Sequence, residues 1–265
     1  MDPFEEMKAK AKETWANFVP MESMTGTAAP KLVRFAEVRP GAKVLDVACG
    51  TGVVSITAAR LGAEVAGLDL TPALLERARQ NAELIGVNID FTEGDAEALP
   101  YADASFDVVL SQFGHMFAPR PKLAVAEMLR VLKPGGTIAF STWPPELFMG
   151  QFLALMGRHA PAPPPEGASP PPLWGDPNVV RERLGGAVRD LVFDRARMRM
   201  PILSPHHLWA AKSQGVGPGA SAAKALAGQP DRLEKLGREV TALSSIYFED
   251  NTIRQDFLLT RAVKR

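Results

Sequence analysis

Apolar and polar positions change period several times along this chain, and each change marks an element. Residues 4 to 18 place Phe4, Met7, Ala11, Trp15 and Phe18 on one face of a helix, with Lys8, Lys10 and Lys12 largely off it. Residues 30 to 38 predict a second short helix, and Arg39-Pro40-Gly41 a turn. Strand-like and helix-like stretches then alternate. Strands are expected near residues 43 to 48, 64 to 69, 88 to 92, 106 to 111 and 136 to 142, and helices near 53 to 61, 72 to 86 and 120 to 132. Thr71-Pro72 reads as a helix start, a hydroxyl cap followed by proline in the first turn. This alternation predicts an α/β fold, a parallel sheet with helices on both faces.

After Trp143 the pattern breaks. Residues 161 to 177 hold eight prolines, which exclude a regular helix or central strand and predict an extended path over the surface. Residues 189 to 200 alternate like a strand around Leu191, Phe193 and Ala196. Residues 205 to 243 read as one or two helices around the break Gly215-Val216-Gly217-Pro218-Gly219, and residues 257 to 263 as a final strand.

Chemistry concentrates at Val44-Leu45-Asp46-Val47-Ala48-Cys49-Gly50-Thr51-Gly52, where a buried-strand pattern runs into a glycine turn and then a helix. Gly50 and Gly52 carry no Cβ, so the backbone can take positive φ and approach a ligand closely. The helix from Val53 to Leu61 would point its N-terminus at that ligand. The next strand ends in Asp69, 17 residues after Gly52, where a carboxylate can accept hydrogen bonds from both hydroxyls of a ribose. A dinucleotide site wants a third glycine, and Ser55 holds that place. Asp46 inside the turn would repel a pyrophosphate but suits the ammonium and sulfonium of S-adenosylmethionine (SAM).

These residues resemble motif I of the class I SAM-dependent methyltransferases, with Ala48 in place of the family's first glycine. The likeness continues through Val65-Ala66-Gly67-Leu68-Asp69-Leu70-Thr71-Pro72, Gly94-Asp95-Ala96-Glu97-Ala98-Leu99-Pro100, Phe106-Asp107-Val108-Val109-Leu110-Ser111-Gln112 and Leu129 to Thr137. It spans residues 41 to about 143 and is nearest the ubiquinone/menaquinone-type small-molecule subgroup. The resemblance implies a Rossmann-like, seven-stranded, mostly parallel sheet whose last two strands form an antiparallel hairpin. Residues 144 to 187 and 202 to 246 are then insertions after strands 5 and 6 that cap the site. The expected division is a helical segment 1–40, a SAM-binding core 41–143, a proline-rich cap 144–187 and a remainder 188–265.

The same resemblance implies the cofactor contacts. Asp69 binds the ribose, Leu70 packs on the adenine face, Asp95 accepts from the adenine amino group and Ala96 offers its N–H. Asp46, Ala48, Cys49, Gly50 and Gly52 form the turn, and Gln112 at the end of the fourth strand completes the set. SAM is the expected cofactor and S-adenosylhomocysteine (SAH) the product.

Composition narrows the class of partner. The 265 residues carry 30 basic and 30 acidic side chains, so no global field attracts nucleic acid or anionic membrane. The start, Met1-Asp2-Pro3-Phe4-Glu5-Glu6, is acidic and no run reaches 18 apolar residues, from which a soluble cytoplasmic protein is expected. Cys49 is the single cysteine, which excludes an internal disulfide and a thiolate zinc cluster, and the adjacent His206-His207 lack metal-ligand spacing, so no metal is expected.

His115, just past the fourth strand, is the candidate catalytic residue: it is a general base, an orienting group or a structural ring. Phe113, Met116, Phe117, Trp143, Phe148, Met149 and Phe152 line an apolar acceptor pocket or pack beneath the cap. Lys8, Lys10 and Lys12 beside Trp15 make either an interfacial helix for a lipid substrate or an ordinary helix near the cofactor entrance. The leading reading is methyl transfer to a small thiol, phenol, quinone or amine. The alternatives are a phospholipid or nucleic-acid methyltransferase, a SAM-binding protein without catalysis, and a nicotinamide enzyme. The Asn/Asp-Pro-Pro-aromatic run of base-modifying enzymes is replaced here by Ser111-Gln112-Phe113-Gly114.

Overall fold

The computed structural model describes residues 2–159, 163–215 and 217–265. The start of the proline-rich stretch at 160–162 and Val216 in the glycine-proline break lie outside them. The chain opens with α1 (Pro3–Trp15), started by the Asp2 carboxylate accepting from the Phe4 N–H, then α2 (Glu22–Gly26) and α3 (Ala29–Phe35). The alternating unit follows as β1 (Lys43–Val47), α4 (Val53–Ala59), β2 (Glu64–Asp69), α5 (Pro72–Ile85), β3 (Asp90–Glu93), β4 (Phe106–Gln112), α6 (Pro121–Val131) and β5 (Leu132–Thr142). The remainder is α7 (Phe148–Arg158), α8 (Pro177–Leu184), β6 (Val188–Pro201), α9 (Pro205–Gln214), α10 (Pro218–Ala225), α11 (Pro230–Ser245), β7 (Phe248–Glu249) and β8 (Thr252–Lys264).

One mostly parallel sheet runs in the order β3-β2-β1-β4-β5-β8-β6, with the two-residue β7 paired to β8. The first five strands are parallel and β8 lies antiparallel to both β5 and β6, as the resemblance implies. Strand order reverses between β1 and β4, so a crevice opens outside the carboxyl ends of those strands, where ligands bind in such sheets. Val44, Leu45 and Val47 of β1 and Val108, Val109 and Leu110 of β4 are all buried, which holds this central pair rigid beneath the crevice.

Among the described residues three apolar clusters form, the smallest packing Leu75, Ala78 and Phe91 beside the glycine turn. The largest surrounds the sheet through Leu32, Leu45, Leu110 and Phe140, and a second gathers Phe148, Phe152, Leu208, Leu236, Val240 and Ile253 between α7, α9, α11 and β8. The second core seats the cap helices on the sheet's open end.

Several local expectations are corrected. Residues 205 to 243 form three helices, because Pro218 and Pro230 each restart one. β8 begins five residues earlier than its apolar run, at Thr252, since its first turns alternate polar side chains and pair with β6 through Arg197 and Asp256, 2.6 Å apart. Thr71 does not cap α5 with its hydroxyl; its N–H donates to Asp69 Oδ1 at 2.8 Å instead. The proline-rich stretch is not confined to the surface. Pro171–Gly175 forms a 3-10 turn that drives Trp174 to full burial, with its carbonyl accepting from Thr142 Oγ1 at 2.9 Å.

Candidate active site

The crevice at the carboxyl end of β1 and β4 deepens into a pocket with two unlike ends. At one end lie Asp46, Ala48, Cys49, Gly50, Asp69, Leu70, Asp95, Ala96 and Gln112, nine of the ten positions expected to meet the cofactor. Gly52 is the exception. It takes φ +80 at the start of α4, and a Cβ there would meet Phe91 Cζ at 3.1 Å and Ala78 Cβ at 3.2 Å, so its missing side chain serves helix packing behind the turn.

The turn is shaped by left-handed backbone. Ala48 takes φ 56 and Gly50 φ 56, and Gly114 comes so close that a Cβ on it would lie 2.5 Å from the Ala48 Cβ. Ala48 therefore holds the conformation that a glycine would take at no steric cost. Cys49 packs with Ile56, Leu75, Ala78 and Phe91, and burial pushes its thiol well above its usual range, so it is no nucleophile.

The three acids differ in what they have left to offer. Asp46 Oδ2 accepts from the Ser55 N–H at 3.0 Å and the Ser55 hydroxyl at 2.6 Å, while Oδ1 is buried with no partner. Burial outweighs those bonds and pushes the carboxyl up to about 7, with Asp69 adding to the rise. Asp69 accepts from the Gly50 N–H and the Thr71 N–H, each at 2.8 Å, and burial raises its pKa as well. Asp95 Oδ1 accepts from the Glu97 N–H at 2.8 Å, and its Oδ2 takes the ammonium of Lys8.

Lys8 was expected off the apolar face of its helix, and it is buried on the inward one. Its ammonium meets Asp95, Glu97 at 2.9 Å and Glu5 at 3.1 Å, which together hold it charged against the cost of burial. Lys12 pairs with Glu93 at 2.8 Å, so α1 is fastened along the β3 end of the sheet. Met7, Ala11 and Trp15 of that helix then cover the pocket.

The other end of the pocket is apolar. Of the aromatic and sulfur residues singled out in the sequence, Phe113, Phe117, Trp143, Met149 and Phe152 line it, while Met116 and Phe148 are core residues. Phe113 stacks on Trp143 with ring centroids 3.9 Å apart and planes 10° apart, and it does so from φ 58, a costly conformation for an aromatic residue. Met21, Met24, Leu153, Met198, Lys212 and Gln255 join the lining from elements far away in sequence, and no local motif announced them.

His115 is not in the pocket. Its ring is fully buried between Phe140 and Trp174, with centroids at 4.6 and 4.7 Å, and neither nitrogen has a partner. Burial, with the Arg183 guanidinium adding to it, pushes its pKa down to about 3. A ring so placed cannot take a proton from an acceptor in the pocket, so of the three roles open to His115 this geometry suits the structural one and not the catalytic ones. The cause is Trp174, which arrives from the proline-rich stretch and covers it.

Known proteins resemble this chain in sequence and in fold. Residues 45–140 match the family described as "Methyltransferase domain". An uncharacterized protein of Mycobacterium tuberculosis is 36% identical over 249 residues, covering 92% of this chain and 89% of that protein. A demethylmenaquinone methyltransferase of Renibacterium salmoninarum is 48% identical over 99 residues, 37% of this chain and 40% of its own. In fold, the crystal structure of a candidate methyltransferase from Bacillus halodurans superposes with a TM-score of 0.62 at 22% identity, covering 90% of this chain and 99% of that one. Among the described residues no helix is long and apolar enough to cross a membrane, and no cluster of His, Cys, Asp or Glu has the make-up of a metal site.

Proposed function

The chain belongs to the class I SAM-dependent methyltransferases, and from that premise we propose that its acceptor is a small, ring-bearing, apolar or amphipathic molecule of the phenol or quinone kind. The observation that carries this reading is the continuity of a single pocket from the acid-lined turn to the apolar lining under the cap. The similarity to a demethylmenaquinone methyltransferase over 99 residues supports the same class of acceptor.

The residues present fit the cofactor. Asp46 Oδ1 is a buried acceptor with nothing to accept from, suited to a cation, and a Cβ added to Gly50 would meet nothing within 4 Å, which leaves open space over the turn. Asp69 keeps a lone pair on each oxygen for ribose hydroxyls. Leu70 and the Ala96 N–H would attend the adenine, and Asp95, which already takes the Lys8 ammonium, would offer its carboxylate to the adenine amino group as well.

SAM supplies a methyl group already activated on a sulfonium. The protein's task is then alignment and the exclusion of water, and alignment alone is worth about 7 to 11 kcal/mol. The Phe113–Trp143 stack offers a flat, rigid wall for an acceptor ring, and α1 with the cap helices closes the pocket over it. Leu153 separates the two ends experimentally, because it reaches the pocket from α7, a helix that carries none of the three acids. Leu153→Asp should raise the KM of an apolar acceptor at least tenfold and leave SAH affinity within a few-fold; an unchanged KM would place the acceptor elsewhere.

A further inference from the structure

Two lysines line this pocket among the described residues, and carboxylates match one of them. Lys8 has Asp95, Glu97 and Glu5 around it. Lys212, projecting from α9 into the lining, has no carboxylate within 4.0 Å among the described residues, and its polar contact there is the Met21 thioether at 3.8 Å. Lys212 is half-buried; a thioether is a weak acceptor and an ammonium has three donors, so the protein meets little of its hydrogen-bonding capacity. Burial pushes its pKa down, as expected of an ammonium without a counter-ion. Two more polar groups of the same pocket are unmet: the buried side-chain oxygens of Gln112 and Gln255 have no donor.

An uncompensated ammonium in an apolar wall costs stability, and a methionine of similar length would fill that space without the cost. Its unmet capacity points toward a ligand group that carries the opposite charge. We propose that Lys212 recognises an anionic oxygen on the acceptor, a carboxylate or an ionised enol or phenol carried on the apolar body that the pocket encloses. Gln255 offers its free oxygen to a donor on the same molecule. The inference rests on the reading of the capped end of the pocket as the acceptor site and narrows the acceptor to acids.

Calorimetry on the SAH-loaded protein tests it with two matched pairs: 2-naphthoate against its methyl ester, and 2-hydroxy-1,4-naphthoquinone, an acidic enol, against its 2-methoxy counterpart. The wild type should bind at least one anion tenfold or more tightly than its neutral partner, and which pair discriminates tells carboxylate from enolate. Lys212→Met and Lys212→Gln should abolish the preference and Lys212→Arg should keep it, with SAH affinity in each within a few-fold as the measure of intact fold. Equal binding within both pairs, or a preference that survives Lys212→Met and Lys212→Gln, overturns this inference alone. Failure of the wild type to bind SAH would overturn the proposed function and this inference with it.

Discussion

Ser55 gives Asp46 Oδ2 two hydrogen bonds, one from its backbone N–H and one from its hydroxyl, and leaves the other oxygen of that carboxylate buried and unpartnered. With its pKa raised to about 7, Asp46 is largely protonated in mildly acidic solution until a cation arrives. Binding a cationic ligand at Oδ1 requires the charged form, so it releases the proton. SAM affinity should therefore rise with pH and level off above about 7, by up to about tenfold per unit below it. Ser55→Ala removes a bond that favours the carboxylate and should move the plateau to higher pH. Titration calorimetry between about pH 5 and 8 reads both effects. A flat wild-type profile would mean that Asp46 does not meet the cofactor's positive charge.

His115 makes the opposite kind of statement about stability. Its folded pKa of about 3 lies below its ordinary value of 6.5, so the folded chain refuses a proton that the unfolded chain accepts. Its contribution is complete above about pH 6.5 and is lost as the pH falls toward about 3. Asp46, raised from 3.8 to about 7, favours the folded state increasingly as the pH falls through that window, and the two partly offset one another. His115→Phe keeps an aromatic ring and removes both unpartnered nitrogens. Denaturant unfolding should show the variant gaining on the wild type as the pH drops from about 6.5 to 4, while kcat stays within a few-fold with an unaltered pH profile. Loss of an ionisation from the rate profile would restore His115 as a base.

Lys8 ties α1 to Asp95 and Glu97, so its loss should be felt both in the helix and at the cofactor. Lys8→Met leaves Glu97 buried with Arg120 as its remaining cation. Hydrogen exchange over Pro3–Trp15 should accelerate, and SAH affinity should fall several-fold because Met7, Ala11 and Trp15 no longer stay over the pocket. Unchanged protection of the helix would show that its apolar contacts suffice to hold it.

The sheet and the glycine turn were legible because their causes are local. Buried strands repeat apolar residues, a tight turn needs glycine at positive φ, and Asp46, Asp69 and Asp95 fall at strand ends by chain order alone. The inward face of α1 was half legible: Met7, Ala11 and Trp15 stood out, but burial of Lys8 depends on acids 87 and 89 residues away in sequence. The role of His115 stayed open for the same reason, since its position past β4 suggested the pocket and only the fold of Pro171–Gly175 brings Trp174 across it. Lys212 carried no signal at all, because an unpaired lysine in a short helix is ordinary until the fold aims it at an apolar wall.

Methyl-labelled SAM tests the central claim most directly. Incubated with the protein and a panel of naphthols, hydroxynaphthoquinones, aromatic thiols, amines, phospholipid vesicles and nucleic acid, it should transfer label to a small aromatic or quinone-type acceptor, with one SAH formed for each methyl moved. Label found only in phospholipid or nucleic acid, or tight SAM binding with no transfer to any small acceptor, would contradict it.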